Sequence, residues 1–490
     1  MKVVIIVEQF IVGGIQKLIL DEAEEFRRRN IDVRVVTFRK EYADNTFYSE
    51  KTFSENQFVC ISFKHSRDVS GWKNLLSYLR REKPDVVMTH AWMANNVGRI
   101  ASYVSGVPKI IAFEHSVYDG VKSSKQFFFD RIFQYLSDAV VAISEPVKQS
   151  LLVHGIKPEK ISVIYNGICL DKYGKAPSKD IRSELRIPKD EFIFLFAGRL
   201  VGAKAVDILL SAFSKVRKGM LLIVGDGTER NNLEELSQKL SLSGRVLFLG
   251  TRNDVKDFFP ASDCLVLPSR REGFGLVLVE ALVSGIPVIS SDFGASNEIV
   301  KNGENGIIVK MEDAEGLASA MNKAADDKIF YENLRAHAKE VPDKFSISTH
   351  IENLLALIKK EGSVAGSFCR FVKFFISGVS AAVVDFSLLF IFTEFFHVWY
   401  LWSVNLAFGI SFFVSFTLQK FWTFEDNEKS KIKWQFPAHL GLGIANLCIN
   451  GFSVFFLVET FGAWYMLAQF IVTALLAVES FFVYRVIFKK

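Results

Sequence analysis

The 490-residue chain is too long for one ordinary core, so two or three domains are expected. Half of it is hydrophobic and 47 residues are Phe, more than a wholly soluble protein readily buries. Its 59 basic and 54 acidic residues leave +5, which argues against nucleic acid as a partner and suits a place beside anionic lipid. The five cysteines are scattered with no C-x-x-C pair, which excludes a disulfide framework and reads as reduced thiols.

From the amino end, the apolar run 3–7 is too short and wrongly flanked for a signal peptide and reads as a buried strand. Gly13-Gly14 leads into a helical stretch at 15–29, then a strand-like run at 33–38. Further runs at 86–89, 110–113, 139–143 and 161–165 keep the rhythm of a parallel sheet covered by helices. The polar stretch 171–188, with Pro177 and Pro188, predicts an interdomain linker. A second series follows at 192–197, 221–224, 246–249, 264–267 and 287–290. The expected architecture is α/β, with two doubly wound domains, 1–170 and 171–360, facing each other across a cleft. Ligands in such sheets lie beyond the carboxyl ends of the strands, so chemistry is sought in the loops there.

Between 368 and 490 the composition changes. Four apolar segments, at 371–396, 398–418, 436–458 and 464–484, are each long enough to span a bilayer. Lys420, Lys429, Lys431 and Lys433 fall between the second and third, and Arg485, Lys489 and Lys490 follow the fourth. The other two connections contain no Lys or Arg. The positive-inside rule then places both termini and the α/β part on the cytoplasmic side of an inner membrane. Trp399, Trp402, Trp422, Trp434 and Trp464 sit near the segment ends, as an aromatic belt would.

The strongest chemical signal follows the run ending at Leu267. There Ser269-Arg270-Arg271-Glu272-Gly273-Phe274-Gly275 opens into an apolar helix carrying Glu280. Glycines allow close backbone approach, and a helix start offers free N–H groups to an anion such as diphosphate. Two carboxylates so placed can grip different parts of one elongated ligand. Upstream, Gly198-Arg199-Leu200 and Lys204 occupy another strand-to-helix loop, where an Arg fork and a Lys point charge can bracket a diphosphate. No Asp-x-Asp clamp for a metal–nucleotide follows a strand. Gly225-Asp226-Gly227 reads equally as a ligand contact or an ordinary tight turn.

In order and spacing these motifs resemble the retaining GT-B glycosyltransferases of the large family-four group. Gly294, Glu298-Ile299-Val300 and Asn305-Gly306 extend the likeness over nearly all of 1–360. The resemblance implies two Rossmann-like domains, the first on the acceptor side and the second binding a nucleotide sugar. It implies Arg199 and Lys204 on the donor diphosphate, Glu280 on the ribose and Glu272 near the transferred sugar. Gly273, Phe274 and Gly275 complete the implied donor loop, and Gly13-Gly14 matches the family's glycine loop near the phosphates. His115, in Phe113-Glu114-His115-Ser116, matches a His that contacts the donor sugar; a capping or core histidine is the alternative. His90, at another strand end, reads as a core residue. Ala205, Ala295 and Gln16 depart from the usual Gly, Gly and Glu. The implied reaction retains anomeric configuration, with the leaving diphosphate helping to take the acceptor proton. No metal or cofactor is expected; the nucleotide sugar is a substrate.

The motifs Arg370-Phe371-Val372-Lys373-Phe374, Asp385-Phe386 and Gln419-Lys420-Phe421-Trp422 resemble the GtrA-like four-span proteins tied to polyprenyl-phosphate sugars. Gln419 replaces a common Asn. The resemblance implies an all-α membrane domain that handles, translocates or only anchors, and a lipid-linked acceptor. Asp385 and Glu479, acids inside expected spans, and Lys420 are the candidates here, against a purely structural polar pairing. In the first domain, Lys122, Lys125 and Arg131 flank Phe127-Phe128-Phe129, either as a patch for a bilayer surface or as a solvated face over core rings.

Overall fold

Every apolar run read from the α/β part lies on a strand of one of two parallel sheets. The first sheet contains β1 (Lys2–Val7), β2 (Asp32–Thr37), β3 (Phe58–Cys60), β4 (Val86–His90), β5 (Lys109–Glu114), β6 (Ala139–Ala142) and β7 (Ile161–Val163). The second contains β8 (Ile193–Ala197), β9 (Met220–Val224), β10 (Val246–Phe248), β11 (Cys264–Leu267), β12 (Val288–Ser291) and β13 (Gly306–Val309). In this computed structural model the strand orders are β3-β2-β1-β4-β5-β6-β7 and β10-β9-β8-β11-β12-β13. The structure describes residues 1–10, 13–39, 57–117, 122–173, 177–360, 364–398, 400–424, 426, 428–461 and 465–488, with part of the side chains after 364. Two units divide it, Met1–Ala365 and Gly366–Lys490.

The central strands are buried on both faces, which is why their sequences run as unbroken Val, Ile, Leu and Phe rather than alternating. Strand order reverses between β1 and β4 in the first sheet and between β8 and β11 in the second. Those two reversals open the crevices in which open α/β sheets bind ligands. The first helix, Gly14–Arg28, rises from the β1 side of one crevice and packs Leu18, Ile19, Ala23 and Phe26 inward. The helix Leu276–Val283 rises from the β11 side of the other.

One helix departs from the sequential plan. Ile347–Lys359 follows the second sheet in the chain, yet its Ile347, Ile351 and Leu354 join the core of the first, with Leu18, Ile19 and Phe26. Its His350 is wholly buried, bonded through Nε2 to Glu22 at 2.8 Å and through Nδ1 to the Tyr165 carbonyl at 2.7 Å. Burial raises the Glu22 carboxyl above its usual range, against the pull of His350.

Among the described residues the second unit holds four long helices, Val364–Phe390, Tyr400–Thr417, Ile432–Phe461 and Tyr465–Ile487. The first two continue as short π-helical turns, Ile391–Phe395 and Leu418–Thr423. Phe374, Phe416, Phe424, Phe481, Tyr484 and Phe488 form a small aromatic core. The segments expected to span a bilayer are thus helical. Among the described residues, however, no helix is long and apolar enough to cross a membrane, so the four-span expectation finds its helices but not its spans. Of the belt and flanking residues, Trp399, Trp402, Lys429, Trp464, Arg485, Lys489 and Lys490 lie outside the described side chains.

Candidate active site

The second-domain wall is built where three strand-end loops meet backbone to backbone. Gly198 N donates to the Val224 carbonyl at 2.9 Å, Leu200 N to Asp226 at 2.9 Å, and Gly225 N to Gly250 at 2.8 Å. A Cβ at Gly225 or Gly227 would overlap the carbonyls of Gly198 or Leu200. The Gly225-Asp226-Gly227 turn is therefore required by packing alone. Its neighbour Arg199 is thrust outward, exposed and without an ion pair among the described residues. Lys204 ends a tight turn, Gly202–Lys204, and Ala205 follows at φ 51°, in the left-handed region. The backbone there has the conformation that glycine, the residue the resemblance leads one to expect here, adopts without strain.

Arg270 N donates to the Ala203 carbonyl at 2.9 Å, which fastens the β11 loop to the β8 loop. The Arg270 guanidinium grips both oxygens of Asp207, at 2.8 and 2.7 Å, so it braces the loop while Arg271 is exposed. Held in this way, Glu272 forms an ion pair with Lys204, both only partly exposed. Gly273 lies so close to the first domain that a Cβ would overlap the His115 carbonyl oxygen. Ser144 Oγ donates to the Gly273 carbonyl at 2.9 Å from the same side. The Phe274 ring points away, into an aromatic cluster with Tyr165 and Phe345 at centroid distances of 6.2 and 5.5 Å. Only its main chain remains for a ligand. Gly275, at φ 88°, makes the turn into Leu276–Val283. Glu280, 5 % exposed, points back across the cleft to Lys17 Nζ at 2.5 Å, and Lys17 also hydrogen-bonds the Tyr173 hydroxyl.

The first-domain wall carries two buried histidines at the ends of β4 and β5. His90 Nδ1 and His115 Nε2 share a hydrogen bond at 3.0 Å, and His90 stacks on Phe113 at 4.3 Å. Burial pushes His115 down to about 4 and His90 well below its usual range, so both rings are neutral and one donates to the other. The remaining nitrogens, His115 Nδ1 and His90 Nε2, find no protein partner among the described residues. Beneath them, Glu114 is held by Asn95 Nδ2 at 3.1 Å and Lys122 Nζ at 3.2 Å, and Lys122 also meets Asp130 at 2.8 Å. This buried lattice fixes the strand end that presents His115. Gly14, exposed at the start of its helix, faces Leu276, whose Cδ1 would lie 3.5 Å from an added Cβ.

The structure therefore gathers Gly14, His115, Arg199, Lys204, Glu272, Gly273, Gly275 and Glu280 around one cleft, and takes the Phe274 ring out of it. Sequence reasoning missed Lys17, whose signal was its place one helical turn past Gly14. It also set His90 aside as a core residue; the ring is buried, but it bonds directly to His115. Among the described residues no group of three or more His, Cys, Asp and Glu comes together as metal ligands.

In the second unit, Lys420 is wholly buried and donates to Asp426 at 2.9 Å and Gln435 at 2.6 Å. Gln435 Nε2 in turn donates to the Ile487 carbonyl at 2.9 Å, so this network ties three helical segments together. Glu479 is exposed beside an apolar groove lined by Phe452, Phe456 and Leu475. The Asp385 side chain lies outside the described residues.

Residues 177–341 match the family described as Glycosyl transferases group 1, residues 12–172 match Glycosyltransferase Family 4, and residues 373–488 match GtrA/DPMS, transmembrane domain. Among relatives, the UDP-Gal:alpha-D-GlcNAc-diphosphoundecaprenol alpha-1,3-galactosyltransferase of Escherichia coli is 27% identical over 70% of this chain and 93% of that protein. The lipopolysaccharide core biosynthesis glycosyltransferase LpsE of Rhizobium meliloti is 32% identical over 51% of this chain and 67% of that protein. The fold is shared with Anabaena HepE, solved in complex with UDP and glucose: TM-score 0.66, 22% identity, 74% of this chain and all of that one. Two parallel-sheet domains facing across a cleft, three matching families and these relatives agree: the chain belongs to the GT-B glycosyltransferases of group 1 and family 4, and carries a GtrA-like membrane domain after them.

Proposed function

We propose that the chain moves a sugar, with retention of configuration and without a metal ion, from a nucleotide-sugar donor to a lipid-linked acceptor at the cytoplasmic face of a membrane. The observation that carries this reading is the pairing of charges that line the cleft. Lys204 is neutralised by Glu272 and Lys17 by Glu280, while Arg199 stands exposed beside them. A diphosphate between Arg199 and Lys204 replaces the Glu272 carboxylate and frees it for the sugar hydroxyls. Ribose hydroxyls donate to the second oxygen of Glu280, while Lys17 stays on the first and holds the carboxylate in place. Each buried charge thus keeps a charged or hydrogen-bonding partner before and after binding.

The bond from the anomeric carbon to the diphosphate oxygen then breaks, and the acceptor hydroxyl bonds to the same face of the sugar. The acceptor proton passes to the leaving phosphate oxygen. Arg199, Lys204 and the N–H groups at Gly14 and Gly275 meet the charge growing on the diphosphate, and neutral His115 offers its spare nitrogen to a sugar hydroxyl. Support for a lipid-linked acceptor comes from the diphosphoundecaprenol substrate named for the Escherichia coli relative, and from the GtrA-like domain. The lysines after residue 419 support a cytoplasmic active site within a multi-pass arrangement.

The test is turnover by the purified full chain in lipid, with nucleotide sugars screened in the presence of EDTA and polyprenyl-phosphate acceptors. One donor is expected to turn over unaffected by EDTA, with Glu272→Ala and Lys204→Ala each losing about 10²-fold or more. A match to a family tied to lipid-linked sugars favours a second reading, in which the membrane domain translocates such a lipid. Turnover with no donor at all would sink the transferase reading and make Asp385→Asn in a flipping assay the next measurement.

A further inference from the structure

The helix Ser124–Phe133 begins nine residues after His115 and turns its aromatic side chains to solvent. Phe128 is 59 % exposed and Ile132 45 %, and Phe129 and Tyr135 lie open beside them. Val153, 75 % exposed at the end of the helix Glu145–Val153, extends the same apolar face through the Phe127–His154 ring stack. Folding gains nothing by leaving such a contiguous patch wet, and on a soluble surface patches of this kind mark interaction sites. Cations rim it. Lys125, Arg131 and Lys157 are all exposed, Lys157 lying over the Tyr135 ring at 5.3 Å. The helix's own acid, Asp130, is buried beneath it on Lys122; the nearby exposed acid Glu159 sits 3.9 Å from Lys157 and offsets it in part.

We propose that this face docks on an anionic lipid surface, with Phe128, Phe129, Ile132 and Val153 entering the headgroup boundary and Lys125, Arg131 and Lys157 meeting lipid phosphates. Apolar rings with a basic rim are what an interfacial helix presents to acidic lipid, and the chain's GtrA-like domain keeps lipid within reach. The proposal concerns lipid contact rather than turnover, and stands or falls apart from the transfer reading.

The experiment is hydrogen exchange, resolved by peptide, on the full chain in nanodiscs of phosphatidylcholine with and without phosphatidylglycerol, and in detergent. Exchange over 124–136 and 150–157 is expected to slow several-fold when phosphatidylglycerol is present, while the helix Ala314–Asp326 is unchanged. Phe128→Ser with Ile132→Ser should abolish the protection. Lys125→Glu with Lys157→Glu, which spares the rings, should remove only its dependence on phosphatidylglycerol. Equal exchange in all three media would overturn the assignment. So would protection in detergent that grows with protein concentration, which would mean that a second copy covers the patch.

Discussion

His115 and His90, both buried, share one hydrogen bond, and this makes the site sensitive to acid. Burial holds His115 at about 4, against about 6.5 in an unfolded chain. Between those values the unfolded chain binds a proton that the folded one refuses. The full stability is present above about pH 6.5 and declines as pH falls toward 4, by about 3 kcal/mol for this group. Thermal unfolding of the full chain in detergent, followed from pH 7 to 4, should show that decline, and His115→Gln should lessen its slope, leaving the share that buried His90 contributes. An unchanged slope in the variant would show that His115 is not the group responsible. Lys17 gives a second test at this scale. Because it pairs with the carboxylate assigned to the ribose, Lys17→Met should raise the donor KM about tenfold with kcat nearly kept, and Lys17→Arg should restore it. A fall in kcat alone would be evidence against that placement. The charges at this scale were legible in the sequence because each sits in a loop after an apolar run or, as Glu280 does, in the helix that such a loop opens. Lys17 was not, since an amphipathic helix carries many lysines and only the fold shows which one faces Glu280.

Among the elements, strands were legible wherever both faces are buried, because the hydrophobic run is then continuous. The two strands that escaped notice, β3 and β13, are short and only partly buried, so their runs are brief. The helix Ile347–Lys359 is amphipathic in an ordinary way, and nothing in its pattern says which core it joins. Its contribution is measurable. Leu354 is completely buried against the first domain, so Leu354→Ala should cost about 2–5 kcal/mol, within the range for cavities of this kind. Hydrogen exchange should show the loss in β1 and the helix Gly14–Arg28 rather than in the second sheet. Weakening confined to the second sheet would contradict the packing described.

For the α/β unit as a whole, contacts between the two domains include Ser144 to Gly273, Lys17 to Glu280, Glu298 accepting from Glu145 N at 3.0 Å, Gly14 beside Leu276, and an apolar cluster that joins Ile143 and Val147 to the second core. Gly273 sets how closely the walls approach. Gly273→Ala should hold them apart at His115 and lower kcat/KM by about 10²-fold, as misplacement by about an ångström does, while leaving thermal stability nearly unchanged. Unaltered kinetics would show that the close approach is dispensable. The two-sheet plan was legible from the alternation of runs and helices; the closeness of the walls was not, because a glycine in a loop does not announce what stands opposite it. The returning helix bears on how the molecule is made. A ribosome delivers all seven strands of the first sheet before residue 170, yet a piece of that sheet's core arrives only with Ile347, Ile351 and Leu354. Until then Leu18, Ile19 and Phe26 lack their covering, and the nascent chain carries an unfinished domain while the second one folds. The segments matching the GtrA/DPMS family follow within about twenty residues, so the first domain is completed only just before that domain is made. A nascent chain halted before residue 346 would keep every strand of both sheets and still bind chaperones.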